Sequence, residues 1–283
     1  MRFLLSLLQE MGGDLSDVRL KALMVIVSRQ ILKTDGPYQF VFKNGGFHSF
    51  QLEEDKIQLE RKIILERAPR WILSTTATRY AIELDFFEKI ALRELKTKWL
   101  FKSDAALIEL CTTLHQDRIF DDRASRFFTI GYEGVSPDSY INLLHANGIK
   151  LVVDVRKNAF SQKWGFSKSS LEQILIRSGI DYHHMPELGI ESAKRHNLKS
   201  DADYRRLFKD YVAHTLNEQT RSLEDLCHML DNKKRIAITC FEADPTQCHR
   251  YHVAEALRGR IPPESTIEHL ISCSPEQKKI DKN

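Results

Sequence analysis

The apolar positions change rhythm part-way along the chain. In the first half they recur at three- and four-residue steps: Leu4, Leu7, Leu8 and Met11, then, after Gly12-Gly13-Asp14, the stripe Val18, Leu23, Ile26 and Val27. Ser16 stands where the second of these helices needs a cap. YQFVFKNGGFHSF alternates around Gly45-Gly46 and predicts a β-turn-β element, FQLEEDKIQLERKIIL returns to helical spacing, and RWILSTTA predicts a short strand. AIELDFFEKIALRELKTKWLFKSDAALIELCTTL is helical by spacing and by its strong helix formers. Together these segments predict a small α+β unit of winged-helix character over residues 1–120.

After the polar stretch QDRIFDDRAS, which marks a boundary near residues 116–126, strand and helix alternate. FFTIGY, a helix from Pro137 to Asn147 closed by Gly148, LVVDV, a helix from Ser167 to Ser178 closed by Gly179, and DYHHM form consecutive β-α-β units. A long amphipathic helical region at about residues 201–231, the strand RIAITCF, a helix after Pro245 and the strand STIEHLI complete the series. Such units force right-handed crossovers and a mainly parallel sheet. The fold class is therefore α/β, with a Rossmann-like domain over residues 121–283. Ser136-Pro137 supplies an N-cap and first-turn proline, and Gly148 and Gly179 stand where left-handed C-caps belong.

Four of the predicted strands end in polar, chemically capable residues: Gly131-Tyr132-Glu133, Asp154-Val155-Arg156, Glu187-Leu188-Gly189, and the run from Glu242 to Arg250. Ligands of open α/β sheets bind outside the carboxyl ends of the strands, so these tips are expected to share one pocket. In the last run Asp244 can cap a helix that Pro245 opens, Gln247 can reach back to the cap, and Cys248 then lies in or just past the first helical turn. A thiol there, near Arg250 and a helix N-terminus, is expected to be acidic. Cys248 is thus a candidate nucleophile, Arg156 and Arg250 candidate anion clamps, and Glu133, Asp154, Glu242 or Asp244 candidate proton-transfer groups. The plainer alternatives are a buried Cys248, an Asp244 that only caps, and an Asp154–Arg156 pair that only holds structure. Cys240, inside an apolar strand, is expected in the core.

Composition narrows the class. At 283 residues, 42% hydrophobic and 29% charged, the chain has the make-up of an ordinary globular protein of about two domains. Its five scattered cysteines never form a CxxC pair, which argues against a disulfide framework or a zinc ribbon. MRFLLSLLQEM is too short and too soon interrupted to span a bilayer, so it is read as a first helix, with a cytoplasmic location and no membrane partner expected. Net charge of +3 does not by itself mark a nucleic-acid binder. Locally, Arg61, Lys62, Arg67, Arg70 and Arg79 offer a basic set that either meets phosphates or forms a solvated helix face. A zinc site can be drawn from Cys248, His252 and His183 or His184, and a hard-cation site from Asp154, Glu242 and Asp244. Neither spacing is diagnostic, so no metal is assigned and the cofactor is left open.

TIGYEG, VDVR, the stretch from Ser161 to Ser167, GIDYHHMPELG and CFEADPTQCHR resemble, in order, the prokaryotic domain of unknown function 488 family over about residues 127–260. Two places depart from the family pattern: Lys157-Asn158-Ala159 follows VDVR where a proline is usual, and Gln162-Lys163 stands where an arginine is usual. The resemblance implies a Rossmann-like fold and a site built from Tyr132, Glu133, Asp154, Arg156, Glu242, Cys248, His249 and Arg250, without an agreed reaction. FVFKNGGFHSFQLEEDKIQLERKIIL looks like small winged-helix modules of prokaryotic toxin–antitoxin and phage-defence proteins.

Neither a Walker A loop nor a GxGxxG after a strand is present, and the residue six after Cys240 is Thr246, not the arginine of a cysteine-phosphatase loop. The expected function is therefore an enzyme acting on a phosphorylated, nucleotide or nucleic-acid substrate. The alternative is a non-catalytic nucleotide sensor coupled to a DNA- or protein-binding module.

Overall fold

The computed structural model describes residues 1–32, 36–43, 46–75, 77, 83–114, 125–195, 198 and 200–271. The chain divides into two compact units, Met1–Asp117 and Arg118–Asn283. Most of the stretch expected to join domains, like Gly45 and Arg79, lies outside the described residues.

The first unit carries helices α1 (Arg2–Glu10), α2 (Asp17–Ile26, prolonged by a π turn over Val27–Ile31), α3 (Phe50–Arg61), α4 (Phe86–Lys98) and α5 (Asp104–Thr113). Two antiparallel ribbons accompany them: β1 (Asp14–Leu15) with β4 (Trp71–Ile72), and β2 (Val41–Lys43) with β3 (Gly46–His48). Leu4, Leu7, Leu8, Leu23, Ile26, Val27 and Trp71 share one core, and burial of each large apolar side chain contributes about 1.5–3 kcal/mol. Ser16 caps α2 by accepting the Arg19 N–H. Val18, expected on the buried stripe, is instead 48% exposed, because it sits in the first turn of α2, a step off the face that Leu20, Leu23 and Val27 bury.

The stretch expected to be helical over 81–114 holds two helices. Arg19 donates to the carbonyl oxygens of Leu100 and, at 3.1 Å, Lys102, which satisfies the backbone at the break, and Ser103 caps α5.

The second unit is built on a five-stranded parallel sheet in the order β7 (Asp181–His184), β6 (Leu151–Asp154), β8 (Arg235–Cys240), β5 (Arg126–Gly131), β9 (Thr266–Leu270). The three inner strands are buried on both faces, as their near-continuous apolar runs require, and the two edge strands are partly exposed. Phe127, Val153, Ile236 and Ile238 pack with α9 (Thr220–Lys233) and α10 (His249–Leu257) in one core. The intervening Phe128, Val152, Ala237 and Thr239 are equally buried.

Helix α6 (Pro137–Ala146) starts at Ser136, which accepts the Ser139 N–H, and ends before Gly148 at φ 63°. Helix α7 (Lys168–Arg177) ends before Gly179 at φ 76°. The amphipathic region at 201–231 is not one helix: α8 (Asp201–Asp210) runs into a π segment, Tyr211–Leu216, before α9 begins.

Candidate functional site

The strand tips converge because glycines let backbones touch. A Cβ on Gly131 would lie 1.9 Å from the Glu242 carbonyl oxygen, and one on Gly189 would lie 2.2 Å from the Lys157 nitrogen. No side chain fits at either place. Across the first contact the Tyr132 and Glu133 N–H groups both donate to the Phe241 carbonyl (3.1 and 2.9 Å), and Glu133 Oε2 accepts the Ala243 N–H at 2.9 Å. Glu133 thus ties the β5 and β8 tips together from the exposed rim.

Asp154 and Arg156 form a buried fork. Asp154 accepts from Arg156 Nε (2.8 Å), Arg156 Nη2 (2.5 Å), the Arg156 backbone N–H (3.1 Å) and the Tyr182 hydroxyl (2.9 Å), with no surface exposed to solvent. Arg156 Nη1 donates to Tyr132 Oη (2.6 Å) and the Phe166 carbonyl (2.9 Å). Burial lowers the Arg156 pKa, but Asp154 outweighs it and holds the guanidinium firmly charged. Tyr132 lies flat on Phe166 at a centroid distance of 4.3 Å, with its phenol pushed up by burial. Asp154 and Arg156 therefore leave no oxygen and no fork for a substrate. The plainer of their two expectations, a structural ion pair, is the one the geometry fits.

Arg250 is likewise fully buried, donating to the carbonyls of Glu242 and, at 2.9 Å, Ala243, so it shapes the loop instead of facing solvent. Asp244 accepts from Thr246 N–H and Oγ1 (both 2.8 Å) and caps a short 3₁₀ turn, Pro245–Gln247. The Gln247 backbone N–H goes to the Asp244 carbonyl, where a side-chain reach-back was expected. The helix does not start at Pro245: Cys248 is extended (φ −134°, ψ 141°) and is the N-cap residue of α10.

At that N-cap stands a group of side chains that sequence spacing had scattered among other roles. Cys240 Sγ, Cys248 Sγ and one nitrogen of His249 lie within 4.8 Å of one another, all buried. His249 Nδ1 is 3.6 Å from Cys240 Sγ and 3.9 Å from Cys248 Sγ, while its Nε2 is 2.9 Å from the Val155 carbonyl. Glu242 Oε2 is 3.2 Å from Cys240 Sγ. Arg195, from the 3₁₀ turn Ser192–Arg195, reaches Glu242 Oε1 and His249 Nδ1, each at 2.9 Å. Arg195 and Glu242 keep 31% and 22% of their side-chain surface open, so they form the solvent side of the cluster.

The electrostatics of the two thiols diverge. Burial raises Cys240, but the Cys248 thiol, His249 and Arg195 outweigh it and hold Cys240 well below the usual thiol range. Burial and the neighbouring Cys240 push Cys248 well above it. The surroundings therefore do not favour the acidic Cys248 that was expected: burial and Cys240 disfavour its thiolate, and Cys240 is the sulfur whose neighbours favour one. Glu242 is raised by burial and by Cys240, against the pull of Arg195. Burial lowers His249, but Cys240 beside it outweighs that and holds the ring above the usual imidazole range. Its Nε2 faces the Val155 carbonyl, and its Nδ1 faces Arg195 Nη2 and the two thiols.

Residues 136–257 match the family model of the domain of unknown function DUF488. The match supports the resemblance carried by the strand-tip motifs, and its bounds include Asp154, Arg156, Arg195 and the whole run from Cys240 to Arg250. Tyr132 and Glu133 precede it. No curated protein and no solved structure matches the chain. Within the DUF488 segment, the sequence places Cys240 only in the core and gives Arg195 no role. Cys240 ends a strand whose alternation puts it beside Ile236 and Ile238, and Arg195 reaches the cluster from a turn 47 residues before Glu242. The zinc set drawn through His252 and the DYHH histidines does not assemble: His252 packs on Phe208, and His184 Nε2 meets the Arg156 carbonyl.

Beside the cluster a cleft of about 100 Å³ is lined by Lys157, Gly189, Lys194, Asp210 and Tyr211 among others. Tyr211, in the π segment, sets its ring edge against His249 at 5.8 Å. Pockets for whole drug-sized ligands span roughly 300–1,000 Å³, so this cleft admits a phosphate- or sugar-sized group and leaves the rest of a larger ligand outside. In the first unit, Arg61, Lys62 and Arg67 are exposed at and beyond the end of α3, whereas Arg70 is held by Asp14 at 2.7 Å. Among the described residues no helix is long and apolar enough to cross a membrane.

Proposed function

We propose that the C-terminal unit, read as a Rossmann-like domain, is an enzyme that acts on a phosphorylated, nucleotide or nucleic-acid substrate at the carboxyl end of its sheet. The observation that carries this reading is the half-open Glu242–Arg195 pair resting on the buried sulfur–imidazole cluster. Glu242, its pKa raised by burial, is the proton-transfer group, since a carboxyl shifted toward neutrality serves as acid and base better than an ordinary one. Arg195, with Lys157 and Lys194 at the adjoining cleft, takes the anionic part of the substrate in the role first given to Arg156 and Arg250. Tyr132, Glu133, Asp154, Asp244 and Arg250 hold the tips in register around it.

The test is product formation by the full-length chain from a panel of nucleotides, phosphorylated small molecules and short nucleic acids, wild type against Glu242→Gln. Turnover falling about 100-fold or more with folding intact supports the enzyme. Ligand binding without turnover in either protein favours the sensor.

For the first unit we propose a winged-helix-like module that meets DNA or a partner protein through Arg61, Lys62 and Arg67. Binding to DNA should weaken steeply with salt and vanish on charge reversal at Arg61 and Lys62. No mobility shift at low salt removes nucleic acid from its partners.

A further inference from the structure

The three buried ligand-type atoms of the cluster have the spacing of a metal's coordination shell. Zinc–sulfur bonds of about 2.3 Å and zinc–nitrogen bonds of about 2.0–2.1 Å at a tetrahedral angle separate sulfur from nitrogen by about 3.6 Å. His249 Nδ1 stands 3.6 Å from Cys240 Sγ and 3.9 Å from Cys248 Sγ. The outer shell fits as well: His249 Nε2 meets the Val155 carbonyl at 2.9 Å, the arrangement that fixes the tautomer of a metal-binding histidine and aims its other nitrogen inward. Two cysteines and a histidine from a strand end and a helix N-cap make a buried, soft donor set of the kind zinc prefers.

We propose that Cys240, Cys248 and His249 bind a zinc ion through three protein ligands, with the fourth position open toward Glu242. Three protein ligands and an open position are the mark of a catalytic zinc site, whereas structural sites are filled by four. Glu242 Oε2, 3.2 Å from Cys240 Sγ, borders that position and is held by Arg195 through its other oxygen. A zinc ion held there would acidify a water in the open position; Glu242 would take that water's proton as its oxygen bonds to the substrate's electrophilic atom, and would return the proton to the leaving group as the bond from that atom to the leaving group breaks. A two-cysteine, one-histidine zinc with a nearby non-ligating glutamate is also the donor set of nucleobase deaminases, so hydrolysis of a nucleotide-type substrate is the chemistry it suits. Arg195 Nη2, 2.9 Å from Nδ1, competes with the proposed ion for that nitrogen's single lone pair, so metal binding requires this partly exposed side chain to move Nη2 aside while Nη1 stays on Glu242. This inference rests on the enzyme reading for its reaction but not for its metal.

The test is metal content and Co²⁺ titration of the reduced full-length chain, purified without a metal-chelating tag. The expected result is about one zinc per chain and, on exchange, a sulfur-to-cobalt charge-transfer band with the visible bands of a four-coordinate thiolate site. Both signals should be lost in Cys248→Ser and His249→Ala, kept in Cys227→Ser, and kept in Glu242→Gln with altered visible bands. Circular dichroism separates unfolding from ligand loss, and Cys240→His, which retains a donor, guards against a serine variant that fails to fold. A folded, reduced wild type that binds neither ion, or binds it equally in Cys248→Ser, overturns the proposal, as does a Cys240–Cys248 disulfide recovered from chain purified under reductant. Zinc binding without any turnover would retain the site and remove the enzyme reading. Turnover dependent on Glu242 without metal would do the reverse.

Discussion

Asp154 and Glu242 are both carboxylates at strand tips, and the sequence offers no way to rank them. The structure separates them by what they touch: Asp154 receives four hydrogen bonds out of solvent, and Glu242 keeps an open edge. Removing one partner of a buried ion pair leaves an uncompensated charge and costs about 3–5 kcal/mol. Asp154→Asn should therefore lower the denaturant midpoint by that equivalent. Unchanged stability with lost turnover would instead return Asp154 to the proton-transfer role. Cysteines divide in the same way. Cys111, with its thiol pushed up to about 12 by burial, should resist alkylation in the native chain at neutral pH; labelling at the rate of a free thiol would contradict its place in the first core. Cys240 shows why thiols defeat residue-by-residue reading: alternation along β8 correctly assigns it to the inward face, and only its position at the strand's last residue turns that face into the site.

Elements were legible wherever local chemistry decides. Ser16, Ser136-Pro137, Gly148 and Gly179 mark helix ends because the cap or the left-handed turn depends on the residue itself. The break between α4 and α5 was hidden because a distant residue, Arg19, satisfies it. The start of α10 lies four residues later than expected because Asp244 and Pro245 open a 3₁₀ turn with the same capping chemistry that opens a helix. Tip convergence belongs to this scale. With 1.9 Å between its would-be Cβ and the Glu242 carbonyl, Gly131→Ala must push β5 and the β8 loop apart. The expected cost is about 1–3 kcal/mol by chemical denaturation, with backbone NMR shifts concentrated at residues 241–243. A neutral substitution with no shifts would mean that the two tips do not touch.

For the whole molecule, the alternation of strands and helices sufficed for a parallel sheet, and the run STIEHLI forms a strand as expected, β9, which pairs with β5. Strand order was not legible, since β-α-β units fix handedness but not which edge the next strand takes. That order puts β8 between β6 and β5, and so brings Cys240 and Glu242 between the two neighbouring tips. Every member of the cluster lies in Arg118–Asn283. That unit expressed alone should unfold in one cooperative transition and retain any metal or ligand affinity of the full chain; an unfolded product would show that the first unit is needed to complete it. Glu242 and Arg195, from distant segments, are proposed to act together at one site. The decisive measurement is a double-mutant cycle on kcat/KM with Arg195→Gln and Glu242→Gln, using a substrate from the nucleotide panel. Strong non-additivity is expected, the double variant losing little more than the worse single one. Losses that simply multiply, or singles that leave turnover unchanged, would separate the two residues and overturn the shared site.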